Sequence, residues 1–423
     1  MDKLILSGPN GLKGQVEISK AKNAFLPILA GTILTGDQVV LKQAPNLRDI
    51  RTMKKLLSDL GSQISETENS NGSTDIAFNL PEAKSVEAPY ELVKTMRASI
   101  CVLGPLVSRF GEAKVSLPGG CAIGARPIDF HLEGLKKLGA TIEIEGGYVT
   151  ARADRLIGNH ITLPFPSVGA TQNLVMAATL AKGQTVIKNA AKEPEVSDHL
   201  NFLVEMGAKI SGIGTADITI EGVEKLNGVE YTPVGDRIEA GTYIIAALMT
   251  QSELEITGFD PEFLEFPINL LQDHGAKIEV MDNGVKVFPS TVSPFNLETA
   301  PYPGFPTDLQ AQFMALATVL DGTSIITESV FENRFMHVPE LTRFGAKIDL
   351  KDKNAIISGG QKMTGTQVMC TDLRASAALL LTALVADGES VVRRVYHLDR
   401  GYARLDEKFK QLGVDIKRVN DGD

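Results

Sequence analysis

The sequence has 423 residues, which is too long for one ordinary hydrophobic core, so two domains are expected. Hydrophobic residues make up 43% of the chain and charged residues 22%, as in folded globular proteins. The formal net charge of -10 argues against a nucleic-acid-binding surface, because phosphate binding over a wide face requires clustered Lys and Arg. An anionic ligand would therefore need a local positive pocket.

The sequence carries no pattern typical of export or membrane insertion. The start, MDKLILSGPNG, lacks a cationic region followed by a long apolar run. The longest apolar run, ASAALLLTALVA at 375–386, is much shorter than the roughly 20 residues that span a bilayer. We therefore expect a cytoplasmic protein.

The cysteine and histidine spacings argue against a disulfide framework and against a metal site. Three cysteines, Cys101, Cys121 and Cys370, cannot all pair, and none lies in a CxxC or Cys/His ligand spacing. The six histidines show no HExxH or similar spacing. We expect reduced thiols and no bound metal.

In chain order, one phrase recurs six times: DLGSQI, KLGATI, EMGAKI, DHGAKI, RFGAKI and QLGVDI. Each copy follows an amphipathic run and precedes alternating residues, which predicts a helix closed by glycine and then a strand. The glycines, about 70 residues apart, are Gly61, Gly139, Gly207, Gly275, Gly345 and Gly413. Six repeat units of this length fill the chain.

A second phrase confirms the period: TGDQVVL, FGEAKVSL, KGQTVIK, QSELEIT, DGTSIIT and DGESVVR. Each is a turn and a strand after a helical run rich in Ala and Leu. Every unit is therefore predicted to hold two helices and several strands. Helices that are apolar nearly all round, such as LRASAALLLTALVA, should lie buried inside a shell of strands.

The chain ends predict the domain boundaries. The last unit stops without the hairpin that other units place next, as in IISGGQKMTGTQV, and the N-terminal ILSGPNGLKGQV matches that missing piece. We therefore expect one domain from residues 22–232 and a second from residues 1–21 plus 233–423. Two crossings of the chain between domains suggest a hinge, and a ligand cleft between the halves is the default site.

Counting back 14 residues from each turn of the second phrase gives the start of each inner helix. Parallel inner helices would direct their N-termini at the other domain, and a helix N-terminus favours an anionic ligand. The six positions are Lys22, Arg97, Gly169, Ile238, Asp308 and Arg374. Three of them add a positive charge at one level, which is how an acidic protein could bind an anion.

Each of these residues also has a simpler interpretation. A single Lys or Arg is more often solvated than functional. Asp308 in FPTDLQAQ and Asp372 in CTDLRASA stand where an aspartate caps a helix, and capping alone would explain both. The shared level of several charges in the repeats favours a functional role.

Cys121 lies in the glycine-rich stretch SLPGGCAIGARPIDF, which favours a loop with an exposed thiol. The charge of Arg126 would lower the pKa of a nearby thiol and orient an anion. An ordinary surface cysteine is the alternative. The signal from these residues alone is not specific to one chemistry.

Several runs along essentially the whole chain resemble those of bacterial UDP-N-acetylglucosamine enolpyruvyl transferases, and the PGGC-x-IGARP loop is specific to that family. The matching runs are SKAKNAFLPILAG, VKTMRASI, LPGGCAIGARPIDFH, SVGAT, AAKEPEV, FPTDLQAQFMAL, ENRFMHVPEL, DLRASAALLL and DRGYARLDEKF.

The resemblance implies an α/β fold of two inside-out α/β barrel-like domains, each of three βαβαββ units with buried helices, which close around substrate. It implies transfer of the enolpyruvyl group of phosphoenolpyruvate to the 3-hydroxyl of UDP-N-acetylglucosamine with release of phosphate. This is the first committed step of peptidoglycan synthesis, and it needs neither metal nor organic cofactor. Nothing in the sequence indicates an oligomeric state.

The resemblance also assigns catalytic roles. Cys121 would protonate the methylene carbon of phosphoenolpyruvate, which generates an oxocarbenium-like centre at the neighbouring carbon. It can also add to that centre to give a covalent phospholactoyl thioether, and its loop would close as a lid. Asp308 would accept or orient the proton of the sugar hydroxyl. Lys22, Arg126 and Arg400 would hold the phosphate and carboxylate of phosphoenolpyruvate.

The remaining substrate-binding residues expected from the resemblance complete a cationic wall or map onto nucleotide-sugar contacts. They are Arg97 and Arg374 for the wall, with Asn23, Arg126, Pro127, Ile128, Asp129, Phe130, Ser167, Val168, Gly169, Val330 and Asp372.

One departure from the family pattern and two rival functions stay open. Some members carry a lysine before SVGAT that reaches the diphosphate of the nucleotide, whereas this chain has LPFP at 163–166. The shikimate-pathway enolpyruvyl transferase shares the fold but lacks the cysteine loop. A catalytically idle paralogue that binds UDP-sugar should have lost a catalytic side chain, yet Lys22, Cys121, Asp308 and Arg400 are present.

Overall fold

The computed structural model describes residues 2–94, 96–117 and 128–420. Within these residues the chain forms two compact units. We call residues 20–94, 96–117 and 128–234 the middle unit, and residues 2–19 and 235–420 the terminal unit.

The strands of the described residues are short and recur in both units. In chain order they are β1 (Asp2–Gly8), β2 (Gln15–Glu17), β3 (Val39–Ala44), β4 (Gln63–Glu68), β5 (Thr74–Asn79), β6 (Glu87–Ala88), β7 (Glu112–Ser116), β8 (Thr141–Glu145), β9 (Tyr148–Arg152), β10 (His160–Thr162), β11 (Gln184–Lys188), β12 (Lys209–Ser211), β13 (Asp217–Glu221), β14 (Glu230–Tyr231), β15 (Leu254–Thr257), β16 (Lys277–Met281), β17 (Gly284–Phe288), β18 (Asn296–Glu298), β19 (Thr323–Thr327), β20 (Lys347–Lys351), β21 (Asn354–Ser358), β22 (Gln367–Met369), β23 (Gly388–Arg393) and β24 (Ile416–Asn420).

The helices alternate with these strands. They are α1 (Lys22–Gly31), α2 (Arg48–Leu60), α3 (Tyr90–Val93), α4 (Leu103–Phe110), α5 (Asp129–Lys137), α6 (Val168–Thr179), α7 (Pro194–Glu205), α8 (Arg237–Met249), α9 (Glu265–Asp273), α10 (Gln310–Val319), α11 (Val338–Arg343), α12 (Leu373–Val385) and α13 (Leu405–Gln411). Short 3-10 helices cover Thr32–Leu34, Arg97–Val102, Pro261–Leu264, Thr307–Leu309 and Val395–Arg400. Across the described ranges, no helix is long and apolar enough to cross a membrane.

The described strands form six four-stranded sheets with one shared pattern, three in each unit. An edge strand pairs in parallel with the second strand, and the last two strands continue antiparallel. The orders are β14-β3-β5-β4, β6-β7-β9-β8 and β10-β11-β13-β12 in the middle unit, and β2-β15-β17-β16, β18-β19-β21-β20 and β22-β23-β1-β24 in the terminal unit. The sixfold repeat predicted from the sequence is confirmed.

The glycine of the first recurring phrase has the same backbone role in all six copies. Each has a positive φ, between 94° and 115°, and lies one or two residues after the last residue of an outer helix. Only glycine adopts this left-handed conformation at low cost, and it ends the helix before the next strand. The predicted helix-glycine-strand order is therefore confirmed.

Strands from both ends of the chain complete sheets of the terminal unit. β1 pairs antiparallel with β23 and with β24, so it is an interior strand of its sheet. β2 pairs in parallel with β15. In the middle unit, β14 pairs in parallel with β3, the first strand of that unit.

The inner helices form the centre of each unit. All thirteen residues of α8 are buried, and so are Arg374–Leu384 of α12. The strands instead alternate buried and exposed residues, as in β13, so one face of each sheet packs inward and the other meets solvent. Apolar helices surrounded by sheets bury more surface than exposed helices would, and the prediction of buried helices is confirmed.

Candidate active site

The six positions counted from the repeats all fall on the first or second residue of a helix. They are Lys22 of α1, Arg97 of Arg97–Val102, Gly169 of α6, Ile238 of α8, Asp308 of Thr307–Leu309 and Arg374 of α12. The predicted helix starts are confirmed to within one residue. The backbone N–H groups of a first helical turn lack intrahelical acceptors, so charged side chains at this level lie beside a partial positive charge.

In the terminal unit, Asp308 binds two arginines. Arg334 Nη2 donates to Asp308 Oδ1 over 2.6 Å, and Arg374 Nη2 donates to Asp308 Oδ2 over 2.9 Å. Both arginine side chains are 5% exposed, whereas the aspartate side chain is 28% exposed. The N-cap position of this 3-10 helix is Pro306, so the capping interpretation is wrong for Asp308.

The two guanidinium groups decide the charge of Asp308. Burial by itself would raise the pKa of the carboxyl group, but Arg374 and Arg334 lower it well below its ordinary value. The carboxylate is therefore ionised at neutral pH. It can accept a hydrogen bond, and its side chain is partly exposed.

Arg374 also lies over an aromatic ring. Its guanidinium carbon lies 5.6 Å from the ring centre of Tyr402, and the phenol oxygen lies 2.9 Å from Thr242 Oγ1. Gln312 Nε2 donates to the same phenol oxygen over 3.1 Å and to the backbone oxygen of Asp308 over 3.1 Å. This buried network fixes the helix start that carries Asp308.

Asp372 has a different role from Asp308. Its Oδ1 accepts from the backbone N–H groups of Arg374 and Ala375 at 2.9 and 3.0 Å, which caps α12. The capping interpretation is therefore confirmed for Asp372. The cap orders the first turn of α12, from which the Arg374 side chain reaches Asp308.

Val330 and Arg400 lie on two other segments of the terminal unit. Val330 follows β19, and its N–H donates to Glu328 Oε1 over 2.9 Å. Arg400 ends the 3-10 helix Val395–Arg400 and is half-buried. Its neighbour Asp399 accepts two hydrogen bonds from Arg418 of β24, at 2.7 and 3.0 Å, which ties this helix to the sheet.

In the middle unit, Lys22 forms a buried ion pair. Its Nζ lies 2.8 Å from Asp49 Oδ2, and the two side chains are 11% and 4% exposed. Asp49 belongs to the first turn of α2, where a carboxylate is favoured by the helix dipole. The lysine is therefore held at the start of α1, with Asn23 half-buried beside it.

Arg97 lies near a buried, uncharged histidine. Burial, together with the charge of Arg97, lowers the pKa of His131 to about 4. His131 Nδ1 lies 2.9 Å from Asn173 Nδ2, and Asn173 Oδ1 accepts from the N–H of Gly104 at 2.8 Å. Asn173 thus links the histidine to α4.

The start of α6 is capped by its own sequence. Ser167 Oγ accepts from the N–H of Ala170 at 3.4 Å, and Val168 and Gly169 form the first two helical residues. A Cβ on Gly169 would lie 3.4 Å from the His131 ring, so the ring packs close to this backbone. All three proposed contact residues, Ser167, Val168 and Gly169, are half-buried.

The predicted loop residues divide into two groups. Ile128, Asp129 and Phe130 are described, and they begin α5. Thr95 and residues 118–127, with the predicted site residues Cys121, Arg126 and Pro127, lie outside the described residues.

The other two cysteines are buried. Cys101 and Cys370 are buried free thiols, and burial raises the pKa of each to about 12. A thiol with this pKa is a poor nucleophile at neutral pH. Neither fits a catalytic role.

Comparison with known proteins gives a full-length match. A relative from Shewanella woodyi is 51% identical over 423 residues, 99% of this chain and 100% of the relative, and is called UDP-N-acetylglucosamine 1-carboxyvinyltransferase. A relative of the same name from Shewanella sp. (strain W3-18-1) is 51% identical over 422 residues, 99% of this chain and 100% of the relative.

The chain belongs to the UDP-N-acetylglucosamine 1-carboxyvinyltransferase family.

The wider enolpyruvyl transferase superfamily is matched as well. The family model described as EPSP synthase (3-phosphoshikimate 1-carboxyvinyltransferase) matches residues 6–409. The enolpyruvyl transferase NikO from Streptomyces tendae superposes with a TM-score of 0.88 at 26% identity, covering 99% of each chain. EPSP synthase from Acinetobacter baumannii superposes with a TM-score of 0.75 at 16% identity, covering 99% of this chain and 100% of that one, which supports the fold alone.

These matches confirm the fold class and the family that the sequence indicated for this UDP-N-acetylglucosamine 1-carboxyvinyltransferase homologue.

The sequence analysis did not predict three charged residues of the site: Arg334, Asp49 and Glu328. Counting residues within repeats does not reach them, because none lies at the start of an inner helix. Arg334 stands in the phrase ENRFMHVPEL, already used for the resemblance, and this was the available signal.

Proposed function

We propose that this chain transfers the enolpyruvyl group of phosphoenolpyruvate to the 3-hydroxyl of UDP-N-acetylglucosamine and releases inorganic phosphate. The observation that carries the proposal is an ionised carboxylate, Asp308, held between Arg334 and Arg374 in a chain 51% identical to relatives named for this activity. The product is the first committed precursor of peptidoglycan, which links the chain to cell-wall synthesis, cell shape and division.

The reaction is an addition followed by an elimination. Protonation of the methylene carbon of phosphoenolpyruvate makes an oxocarbenium-like centre, and the sugar hydroxyl adds to it with loss of its proton. The tetrahedral adduct then loses phosphate from that centre and a proton from the new methyl group. The enol ether is restored on the sugar, and the proton taken up first is returned.

Asp308 suits the step in which the hydroxyl loses its proton. Because the pKa of Asp308 lies well below its ordinary value, the carboxylate stays ionised and orients the hydroxyl as a hydrogen-bond acceptor. An ionised carboxylate is a weak base, but an alcohol oxygen that is adding to a cationic carbon becomes strongly acidic. Proton transfer late in the addition therefore needs no stronger base.

The proposed acid is Cys121, which protonates the methylene carbon. Its sulfur can also add to the neighbouring oxocarbenium-like carbon, which bears the phosphate, to give a covalent phospholactoyl thioether. The buried state of Cys101 and Cys370 supports this assignment by elimination among the three cysteines. We propose that the loop carrying Cys121 closes over bound substrate and excludes water from the cationic centre.

The anionic groups of phosphoenolpyruvate require cations. We propose that Lys22, Arg126 and Arg400 bind its phosphate and carboxylate, and that Arg97 and Arg374 complete the positive wall. The proposed nucleotide-sugar contacts are Asn23, Arg126, Pro127, Ile128, Asp129, Phe130, Ser167, Val168, Gly169, Val330 and Asp372.

We further propose the domains 22–232 and 1–21 plus 233–423. Pairing of β1 with β23 and β24 supports the second of these. A cytoplasmic location belongs to the same proposal, because phosphoenolpyruvate and nucleotide-sugars are charged metabolites of that compartment.

The test is phosphate release from phosphoenolpyruvate with either of two acceptors. We expect release with UDP-N-acetylglucosamine and none with shikimate 3-phosphate. Release only with shikimate 3-phosphate would identify the shikimate enzyme. UDP-N-acetylglucosamine binding without release would identify an idle paralogue.

A further inference from the structure

Glu328 is a buried carboxylate whose hydrogen bonds join three segments of the terminal unit. Glu328 is the residue after β19, and it is 3% exposed. Oε1 accepts from Thr299 Oγ1 at 2.9 Å and from the N–H groups of Val330 and Phe331 at 2.9 and 3.0 Å. Oε2 accepts from Thr307 Oγ1 at 2.9 Å. One side chain therefore contacts both the turn at Val330 and the 3-10 helix that carries Asp308.

The contact with Thr307 continues to Asp308 through an arginine. Arg334 Nη1 donates to Thr307 Oγ1 over 3.2 Å, and Arg334 Nη2 donates to Asp308 Oδ1 over 2.6 Å. An arginine can only donate hydrogen bonds, so the Thr307 oxygen must be the acceptor. The Thr307 proton is then available only for Glu328. The two hydrogen bonds therefore have a fixed direction: Arg334 donates to Thr307, and Thr307 donates to Glu328.

This direction requires an acceptor at both oxygens of residue 328. An isosteric glutamine has one oxygen and one amino group. If its amino group faces Thr307, the threonine oxygen meets two donors and its own proton loses its acceptor. If its amino group faces the N–H groups of Val330 and Phe331, donors face donors, and a buried donor without an acceptor is costly.

A buried carboxylate is tolerated only when its oxygens are well hydrogen-bonded, so the donors around Glu328 hold it in one position. Among the described residues, two hydroxyl groups and two backbone N–H groups donate to Glu328. Two of the segments that they belong to carry proposed site residues, Val330 and Asp308.

We propose that Glu328 is a positioning residue for the transfer reaction, which sets the turn at Val330 and, through Thr307 and Arg334, the orientation of the Asp308 carboxylate. This role rests on the proposed function. Glu328 acts through its neighbours, and its two oxygens serve two different purposes. Oε1 holds the turn at Val330, a proposed nucleotide-sugar contact. Oε2 holds Thr307 and, through Arg334, the Asp308 carboxylate, which is proposed to receive the hydroxyl proton.

The two sides of Glu328 predict different kinetic effects. Thr307→Val removes the hydrogen bonds of the Thr307 hydroxyl to Glu328 Oε2 and from Arg334, and it leaves the Oε1 contacts in place. We therefore expect kcat to fall about 10- to 100-fold while KM for UDP-N-acetylglucosamine changes little. Thr307→Ser keeps the hydroxyl and should restore near wild-type kcat. Glu328→Gln disturbs both sides, so kcat should fall and KM for UDP-N-acetylglucosamine should rise.

A pH profile separates positioning from general loss of structure. Within the described part of the chain, the charges of Arg374 and Arg334 lower the pKa of Asp308. If Thr307→Val lets Arg334 move away from Asp308, the acid limb of kcat/KM moves to higher pH. A variant that is only less stable has a lower kcat/KM at every pH, but its acid limb stays at the wild-type pH. The double variant Glu328→Gln, Thr307→Val should be less impaired than independent effects predict.

The outcomes distinguish this proposal from the proposed function. Wild-type protein that releases phosphate, combined with unchanged kcat, KM and pH profile in Glu328→Gln and Thr307→Val, overturns the positioning role alone. Equal impairment of Thr307→Ser and Thr307→Val also overturns it, because the hydroxyl would not matter. Wild-type protein that releases no phosphate with UDP-N-acetylglucosamine overturns the proposed function, and the role of Glu328 falls with it. If Glu328→Gln fails to fold, the two Thr307 variants decide.

Discussion

The carboxylate of Asp308 and the guanidinium of Arg374 lie 2.9 Å apart, although 66 residues separate them in the chain. Arg334 occupies the other carboxylate oxygen. Both cations are almost fully buried, so the aspartate is the counter-charge that makes their burial tolerable. The Asp308 side chain is therefore expected to contribute both to activity and to stability.

Replacement of Asp308 by asparagine keeps the shape of the side chain but removes its charge and its capacity to take a proton. We expect kcat to fall by about 100-fold or more, the range of general base catalysis. Stability should fall by about 3 kcal/mol, because two buried guanidinium groups lose their counter-charge. Phosphate-release kinetics and thermal melting measure the two effects. Asp273→Asn, at an exposed position that ends α9, is the control and should change neither.

Removal of one cation should shift the pH dependence of the reaction. The pKa of Asp308 lies well below its ordinary value, so the acid limb of wild-type kcat/KM that belongs to this group lies below the usual range of aspartate. Arg334→Met removes one of two opposing charges, so the pKa rises and the acid limb moves up by about 1 to 2 pH units. A pH series of initial rates measures this limb. A limb that stays in place would mean that Arg334 does not set the ionisation of Asp308.

The partner of Lys22 should control phosphoenolpyruvate binding. Asp49→Asn leaves the lysine charged but weakens a buried ion pair with an Nζ–Oδ2 distance of 2.8 Å, so the lysine is less well positioned. We expect KM for phosphoenolpyruvate to rise about tenfold. Asp59→Asn changes an exposed carboxylate on the same helix and should leave KM unchanged. Equal KM values for the two variants would contradict a positioning role of Asp49.

The three cysteines should differ in reactivity. At about pH 7.5, fewer than about one in 10,000 thiols with a pKa near 12 is ionised, so Cys101 and Cys370 should resist iodoacetamide in the folded protein. Cys121→Ser should strongly impair turnover, since a hydroxyl is a much weaker acid than a thiol, whereas serine at either buried position should cost little activity. Peptide mass spectrometry locates the label. Intact mass after incubation with phosphoenolpyruvate should show an adduct that Cys121→Ala abolishes.

The repeat pattern predicts much of the fold because its signals are local. A glycine with positive φ ends each outer helix, and the distance from a turn back to a helix start depends only on helix length. Lys22 and Arg97 accordingly begin their helices, and Asp308 and Arg374 come second in theirs.

The pairing of charges could not be predicted in the same way. Asp308 and Asp372 share the local pattern Thr-Asp-Leu at the start of an inner helix, yet Asp372 caps its helix and Asp308 binds two arginines. The difference comes from residues 26 and 66 positions away, which local propensity does not encode. Glu328 was missed for the same reason, because its role appears only when Thr307 lies beside it.

The position of β1 inside its sheet constrains how the protein can be made. Residues 2–8 are synthesised long before the two strands that flank them, which end at residues 393 and 420. The newly made segment therefore has both hydrogen-bonding edges unsatisfied throughout nearly all of translation, whereas the three sheets formed between residues 39 and 231 need nothing made later than that. The middle unit can therefore begin to fold during synthesis, whereas β1 can join its sheet only after β23 and β24 have been made.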